Sequence, residues 1–253
     1  MDLGLSGRVF VVTGGSSGLG LATARALAAE GARTVISSRD RGKVDRAVAE
    51  LSPLAPSVGA VADLADPQAP GRLLDLAEET HGRVDGVLIS VGGPPPGTAA
   101  SAEDDQWRAA FESVFLGAVR CARTAAARLA EGDRGGVIGL VLSSSARSPI
   151  TGLGISNGLR PGLAMVAKDL ADEYGPRGVR VLGLLPGRIA TDRTAELDRG
   201  RPEARERALA GIPLGRYGEP EEFGRVAAFL LSPAASYVTG TSVPVDGGAL
   251  RTP

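Results

Sequence analysis

A glycine-rich segment near the start of the chain constrains the fold more than any other part of the sequence. It reads Thr13-Gly14-Gly15-Ser16-Ser17-Gly18-Leu19-Gly20, follows the apolar run 9–12 and precedes residues 21–27, which are apolar at helical spacing. Glycines permit a tight turn between a strand and a helix, and they let main-chain N–H groups approach a pyrophosphate at the positive end of that helix. The segment therefore predicts a dinucleotide site, with cofactor contacts from Gly14, Ser16, Ser17, Gly18, Leu19 and Gly20.

The rest of the chain alternates between apolar, strand-sized runs and segments of helical periodicity. The predicted strands are 9–12, 33–38, 58–63, 84–89, 137–142, 179–185 and 241–245, and the main predicted helices are 43–51, 70–80, 101–129, 156–174 and 220–231. A polar excursion covers residues 191–210. Apolar strands that alternate with helices are typical of a parallel sheet covered on both faces. We therefore expect residues 1–253 to form one α/β domain, a doubly wound Rossmann-type fold with a parallel seven-stranded sheet.

Composition and charge argue against several classes of function. The formal net charge of −1 gives no reason to expect nucleic acid or an anionic membrane as a partner. The one cysteine, Cys121, excludes an internal disulfide and fits a reducing compartment. The first predicted strand begins within about ten residues of the N-terminus, which leaves no room for a secretory signal. We expect a cytoplasmic protein.

Two residues after the second predicted strand bear on the choice of dinucleotide. In sheets of this type, ligands lie beyond the carboxyl ends of the strands, and NAD sites usually place an acidic residue after the second strand. Here the residues are Ser38 and Arg39. A guanidinium beside a hydroxyl can bind a ribose 2′-phosphate, whereas a carboxylate would repel it. The pair predicts NADP as the cofactor, although Arg39 taken alone could be one more surface arginine.

Several motifs, taken in order, resemble those of the short-chain dehydrogenase/reductase family, which includes acyl-carrier-protein ketoreductases. They are the glycine-rich segment, Asp63-Leu64, Pro186-Gly187 with Thr191, the run 212–216, and the C-terminal run 240–248. The resemblance covers nearly the whole chain and implies a carbonyl or alcohol oxidoreductase. It further implies adenine contacts from Asp63 and Leu64, and it assigns the remaining cofactor contacts to Val91, Gly92, Pro186, Gly187, Ile189 and Thr191.

The resemblance ends at the residues that perform the family's chemistry. The family uses a Tyr-x3-Lys pair on one helix and a serine after the fifth strand, often with an asparagine in the preceding helix. Spacing places Ser156 at the tyrosine position, Arg160 at the lysine position and Val114 at the asparagine position. The serine is kept as Ser143, with two more serines beside it. The implied catalytic candidates are Ser143, Ser156 and Arg160, and Arg160 also remains a candidate for holding the cofactor ribose.

These replacements leave two hypotheses about function. A phenol titrates near pH ~10 and can be shifted toward the working range, but a serine hydroxyl is a poor general acid. The first hypothesis is an NADP-dependent oxidoreductase with a divergent active site, in which another group or water supplies the proton. The second is a catalytically silent NADP(H)-binding protein that acts as a sensor or an assembly partner.

The remaining candidates are weaker. His81 and Cys121 lie far apart and predict no metal site, and Asp104-Asp105 is explained by the dipole of the helix that it begins. Arg147 and Arg188 follow two of the strands. Together with Arg160 they would give the cleft a positive charge suited to an anionic small-molecule substrate, although each one alone could be a solvated surface arginine.

Assembly is the last expectation from the sequence. In the family, the helices that correspond to 107–129 and to the segment after Ser156 pack against their copies in a neighbouring subunit. Here they contain the small-residue runs 125–127 and 162–164, which permit close approach of helices. A homodimer or homotetramer with closed symmetry is expected.

Overall fold

One sheet of seven parallel strands runs through the protein, in a computed structural model that describes residues 2–132, 134–199 and 202–251. The strands are β1 (Val9–Thr13), β2 (Arg33–Ser38), β3 (Ser57–Val61), β4 (Gly86–Ile89), β5 (Gly136–Val141), β6 (Val179–Pro186) and β7 (Ser242–Val245). Their order in the sheet is β3-β2-β1-β4-β5-β6-β7. The chain leaves β1 in one direction and returns to β4 on its other side, so a crevice opens between the two at their carboxyl ends.

Helices cover both faces of this sheet. They are α1 (Gly18–Ala29), α2 (Arg41–Leu51), α3 (Ala69–His81), α4 (Asp104–Ala110), α5 (Gly117–Ala130), α6 (Gly154–Tyr174), α7 (Asp192–Asp198), α8 (Pro202–Ala210) and α9 (Pro220–Leu231). The apolar sides of α3, α5 and α6 form one core with the sheet, and those of α1, α2 and α9 form the other. The predicted doubly wound, Rossmann-type seven-stranded fold is confirmed.

Two predicted segments differ from the structure. The helix expected over 101–129 begins at α4, where Glu103 and Gln106 form a reciprocal cap, and a π-helical stretch at Phe111–Leu116 separates α4 from α5. The polar excursion 191–210 contains α7 and α8 rather than loop alone. Helix α7 forms because the side chain of Thr191 accepts a hydrogen bond from the main-chain N–H of Thr194, which caps the first turn.

The glycine-rich turn after β1 packs main chain against main chain. Gly14 has a φ of +58°, and a Cβ on it would lie 2.5 Å from the main-chain oxygen of Ser90, just after β4. A Cβ on Gly20, in the first turn of α1, would collide with the main-chain oxygen of Gly14. Only glycine permits both approaches, and they hold the turn over the crevice between β1 and β4.

Within the described ranges, none of the helices is both long enough and apolar enough to cross a bilayer.

Candidate functional site

Two adjoining clefts lie at the carboxyl edge of the sheet. The β2 cleft, of about 740 Å³, is bounded by the turn after β1, the ends of β2 and β3, and the start of α4. The β5 cleft, of about 830 Å³, is bounded by the ends of β5 and β6, the first turns of α6, and α7. Both share Gly14, Ser17 and the segment 90–94, so they form one continuous groove across the crevice between β1 and β4.

Most of the predicted cofactor residues line this groove. The β2 cleft contains Gly14, Ser16, Ser17, Ser38, Arg39, Asp63, Leu64, Val91 and Gly92, and the β5 cleft adds Gly18, Leu19, Arg160, Pro186, Gly187, Ile189 and Thr191. Gly20 lies behind the turn, buried against Gly14, where it permits the turn rather than lining the groove.

The start of helix α1 fits the pyrophosphate of a dinucleotide. The helix begins at Gly18 with no acidic residue in its first turn, and the hydroxyl of Ser17, its N-cap residue, makes no capping hydrogen bond. The main-chain N–H groups there and the Ser17 hydroxyl can therefore face an anion in the groove. A Cβ on Gly92 would meet nothing within 4 Å, so the opposite wall is open as well.

A second cation, Lys43, lines the β2 cleft together with Arg39, and the sequence did not indicate it as a site residue. Asp40 caps helix α2 by accepting a hydrogen bond of 2.9 Å from the main-chain N–H of Lys43. The helix therefore starts directly after β2, and its first turn brings Lys43 to the same edge as Arg39. An N-cap residue two positions after an apolar strand was the signal that could have revealed it.

The side chains predicted to be catalytic all belong to the lining of the β5 cleft. Ser143, Ser156 and Arg160 all line it. The Oγ atom of Ser156 lies 3.0 Å from the Oγ atom of Ser145, and both serines are buried. The Oγ atom of Ser143 accepts a hydrogen bond of 3.1 Å from the main-chain N–H of Ser145. Ser145 is therefore the hydroxyl that holds Ser156, whereas the sequence indicated only that it neighbours Ser143.

The guanidinium of Arg160 is buried, and no carboxylate among the described residues pairs with it. Its side chain is on the same face of α6 as Ser156, one turn later, and Arg160 is only 4% exposed. Nη1 donates a hydrogen bond of 2.8 Å to the main-chain oxygen of Val141, and Nε is buried with no hydrogen-bond partner in the part of the chain that the structure describes. Burial lowers the pKa of Arg160 to about 10, so the group keeps its positive charge at neutral pH.

Of the two other arginines expected in the β5 cleft, Arg188 lines it and Arg147 does not. Arg147 does not line it, because its Nη2 atom points away and donates to the main-chain oxygen of Ser242. Arg188 does line it, and Nη1 lies 3.3 Å from Oδ1 of Asp198. Asp198 in turn accepts a hydrogen bond of 2.9 Å from the hydroxyl of Tyr217, so Arg188 is held in a fixed place.

Two further arginines line the β5 cleft, Arg193 on α7 and Arg207 on α8. Nη2 of Arg193 donates a hydrogen bond of 2.6 Å to the main-chain oxygen of Pro94, which ties α7 to the loop after β4 across the groove. The sequence did not indicate these residues, because residues 191–210 show no apolar pattern that would place α7 and α8 over the cleft.

The remaining candidates lie elsewhere. His81 ends α3, at the opposite edge of the sheet, and Cys121 is in the core, where burial raises the pKa of its thiol to about 12. Asp104 and Asp105 both pair with Arg108 on α4. Among the described residues, no three histidine, cysteine or acidic side chains come together as metal ligands would.

Comparison with known proteins gives a family model and relatives that match nearly the whole chain. The family model described as Enoyl-(Acyl carrier protein) reductase matches residues 14–249. Galactitol 2-dehydrogenase (L-tagatose-forming) from Cereibacter sphaeroides is 37% identical over 253 residues, which covers 96% of this chain and 95% of that protein.

Two solved structures are similar over nearly their whole length. L-sorbose reductase from Gluconobacter frateurii, complexed with NADPH and L-sorbose, superposes with a TM-score of 0.91 at 31% identity and covers 100% of both chains. A short-chain oxidoreductase from Pseudomonas aeruginosa PAO1, described as containing an atypical catalytic center, superposes with a TM-score of 0.91 at 30% identity and covers 98% of this chain and 99% of that one.

Proposed function

The chain belongs to the short-chain dehydrogenase/reductase family, and from that premise we propose that it is an NADP-dependent oxidoreductase with a divergent active site. Its relatives are dehydrogenases and reductases of alcohol and carbonyl compounds. The observation on which the proposal rests is the continuous groove, which joins the cations after β2 to the serines after β5. We take residues 1–253 to act as one cofactor-binding domain.

The preference for NADP is supported by the charges of the β2 cleft. Arg39 and Lys43 line it, and Ser38 adds a hydroxyl. Of the acidic residues that line the cleft, Asp40 is the nearest in the chain to the end of β2, and one of its oxygens is already engaged because it accepts the capping hydrogen bond of α2. Two cations beside a hydroxyl suit a ribose 2′-phosphate, and a charge-assisted hydrogen bond to it contributes about 1.5–3 kcal/mol. The similar L-sorbose reductase was solved with NADPH.

NADPH, when bound, supplies the hydride for reduction of a carbonyl compound. We propose that Ser143 and Ser156 orient the carbonyl oxygen of the substrate by donating hydrogen bonds to it. Arg160 holds a ribose hydroxyl and lends positive potential to an oxygen that gains negative charge. Neither serine is an adequate general acid at neutral pH, so water in the cleft supplies the proton. The divergence lies in Ser156 and Arg160, which we place where the family has tyrosine and lysine.

A second candidate function is supported by the same side chains. Ser156 is hydrogen-bonded to Ser145 and Arg160 to the main-chain oxygen of Val141, so both are held by the protein itself. Such an arrangement also suits a catalytically silent NADP(H)-binding protein that acts as a sensor or an assembly partner.

The proposal extends to the substrate and the assembly. Arg160, Arg188, Arg193 and Arg207 line the β5 cleft, and Asp192 is the acidic residue among the described residues that line it. Asp198 pairs with Arg188 and Glu196 with Arg193, and the cations that remain favour an anionic small molecule. Exposed apolar side chains on the helices favour a homodimer or homotetramer, with Met165 on α6 at 70% exposure.

Cofactor titration followed by turnover assays tests the proposed function. Calorimetry should give tighter binding for NADPH than for NADH, and a panel of neutral and acidic ketones should include at least one that NADPH reduces. Binding without turnover on any of them would favour the silent alternative. Failure to bind either nucleotide would overturn both.

A further inference from the structure

We propose that the β5 cleft contains a binding site for a single carboxylate group, formed by Arg160 and Ser156, which are both buried and both line the cleft. That this carboxylate belongs to the substrate, an oxo acid or hydroxy acid, rests on the proposed oxidoreductase function. The site itself follows from charge, burial and hydrogen-bonding capacity at that place in the structure.

The first observation is a buried charge with no counter-charge. Arg160 is 4% exposed, and no carboxylate among the described residues lies within 4.0 Å of its guanidinium nitrogens. The hydrogen bond that it makes within the described ranges is to a neutral main-chain oxygen. A buried cation without an anionic partner is costly, since desolvation is not offset by attraction. A guanidinium has five N–H donors, so several remain for a ligand even while Nη1 holds Val141.

The second observation is a hydroxyl donor on the same face of α6, since Ser156 lies one turn before Arg160 and lines the same cleft. The hydroxyls of Ser145 and Ser156 lie 3.0 Å apart, and only one of them can use its proton for their mutual hydrogen bond. When Ser145, which does not line the cleft, donates that bond, the proton of Ser156 is available to an acceptor in the cleft. Ser156 lies in the first turn of α6, a 21-residue helix with no acidic residue in that turn and no side-chain cap. Positive potential from the helix start therefore adds to that of Arg160.

Charge balance selects a carboxylate over a phosphate. One guanidinium compensates one negative charge, and a phosphate dianion at this site would leave a second charge buried. The planar fork of a guanidinium also matches the two oxygens of a carboxylate. Arg188, Arg193 and Arg207 line the same cleft and would attract the anion toward it.

Proximity to Ser143 narrows the substrate class. When Ser156 donates its proton to the carboxylate, Ser143 is the hydroxyl that orients the reacting carbonyl, and its Oγ atom is joined to the main-chain N–H of Ser145 by a hydrogen bond of 3.1 Å. A carboxylate at this site would therefore lie within a few bonds of the reacting carbon. Short oxo acids and the corresponding hydroxy acids satisfy this condition.

Binding of small probes tests the site directly. Acetate and its neutral counterpart acetamide are titrated into the protein with and without NADP⁺, and binding is followed by NMR. We expect acetate to bind at least tenfold more tightly than acetamide, because a hydrogen bond to a charged group is lost with the amide. Arg160→Gln should weaken acetate binding about tenfold or more, and Ser156→Ala should weaken it by a smaller factor.

Matched variants locate the effect. Arg147→Gln removes a nearby arginine that does not line the cleft, and it should leave acetate affinity unchanged. Equal affinity for acetate and acetamide would overturn the proposal, as would loss of acetate binding in Arg193→Gln but not in Arg160→Gln. If Arg160→Gln does not fold, Ser156→Ala decides, since it removes the hydroxyl and adds no bulk at a buried position. Each variant is also titrated with NADPH, so that failure of the carboxylate site is distinguished from failure of the proposed cofactor function.

Discussion

No side chain fits at Gly224, because a Cβ there would collide with the main-chain oxygen of Ala22. Helices α1 and α9 therefore approach each other almost main chain to main chain on one face of the sheet. Helix α1 begins at the glycine-rich turn. This contact therefore also fixes how the N-terminus of α1 is directed toward the groove.

We expect Gly224→Ala to destabilise the protein by about 1–3 kcal/mol, because overpacking forces the two helices apart. Gly71→Ala is the matched control: Gly71 also lies in a helix, but a Cβ on it meets nothing within 4 Å. The control should stabilise slightly, by about 0.5–1 kcal/mol. Urea denaturation measures both, and equal stabilities for the two variants would contradict the close contact.

The charges of the β2 cleft predict how cofactor preference changes. Arg39→Ala should weaken NADPH binding by about 10- to 100-fold, the loss of one charge-assisted hydrogen bond, and leave NADH binding nearly unchanged. Lys43→Ala should act in the same direction. Arg41→Ala serves as control, since Arg41 is exposed on α2 and pairs with Asp45 outside the cleft. An unchanged ratio of NADPH to NADH affinity in Arg39→Ala would contradict this assignment.

His81 predicts how stability depends on pH. Burial and the positive charge of Arg33 lower its pKa below the ordinary value of 6.5. The unfolded chain therefore takes up a proton near pH 6.5 before the folded protein does, so the free energy of unfolding decreases as the pH falls below that value. His81 is the only histidine in the chain. In His81→Gln the decrease between pH 7.5 and 5.5 should be smaller, as measured by urea denaturation at each pH. An equally steep decrease would assign it to other groups.

Exposed apolar residues on α6 and near the C-terminus predict association. Met165 is 70% exposed, and Tyr237 is fully exposed in the isolated chain. We expect a dimer or tetramer by light scattering at micromolar concentration. Met165→Glu should shift the mass toward the monomer if α6 packs against its copy. A monomeric wild type would contradict the prediction.

The cofactor side of the groove could be predicted from the sequence because the main chain builds it. Gly14 and Gly20 are required by φ and by close approach, and such requirements leave their mark on residue type and spacing. The substrate side could not be predicted in the same way. Ser145 reaches Ser156, and Arg193 reaches Pro94, through side-chain directions that only the packed structure determines. Arg147 shows the converse. It follows β5 as predicted, but its side chain donates to the main-chain oxygen of Ser242 and does not line the cleft.

The last prediction concerns Ser156 and Arg160 together. If they are a weakened form of a proton-transferring pair, the wild type should reduce neutral ketones slowly, and Ser156→Tyr combined with Arg160→Lys should raise the NADPH-dependent rate by about 10²–10⁴-fold, the usual contribution of general acid catalysis. Each single variant should gain little, because the phenol needs the neighbouring cation to lower its pKa, and neighbouring residues are not additive. The gain also requires the new ring to displace the hydrogen bond between Ser145 and Ser156.

If the site instead serves an anionic substrate, the double variant gains nothing on any ketone, and Arg160→Lys alone raises KM for acidic ketones while leaving neutral ones unaffected. Steady-state assays of the wild type, the two single variants and the double variant on both kinds of ketone separate these outcomes.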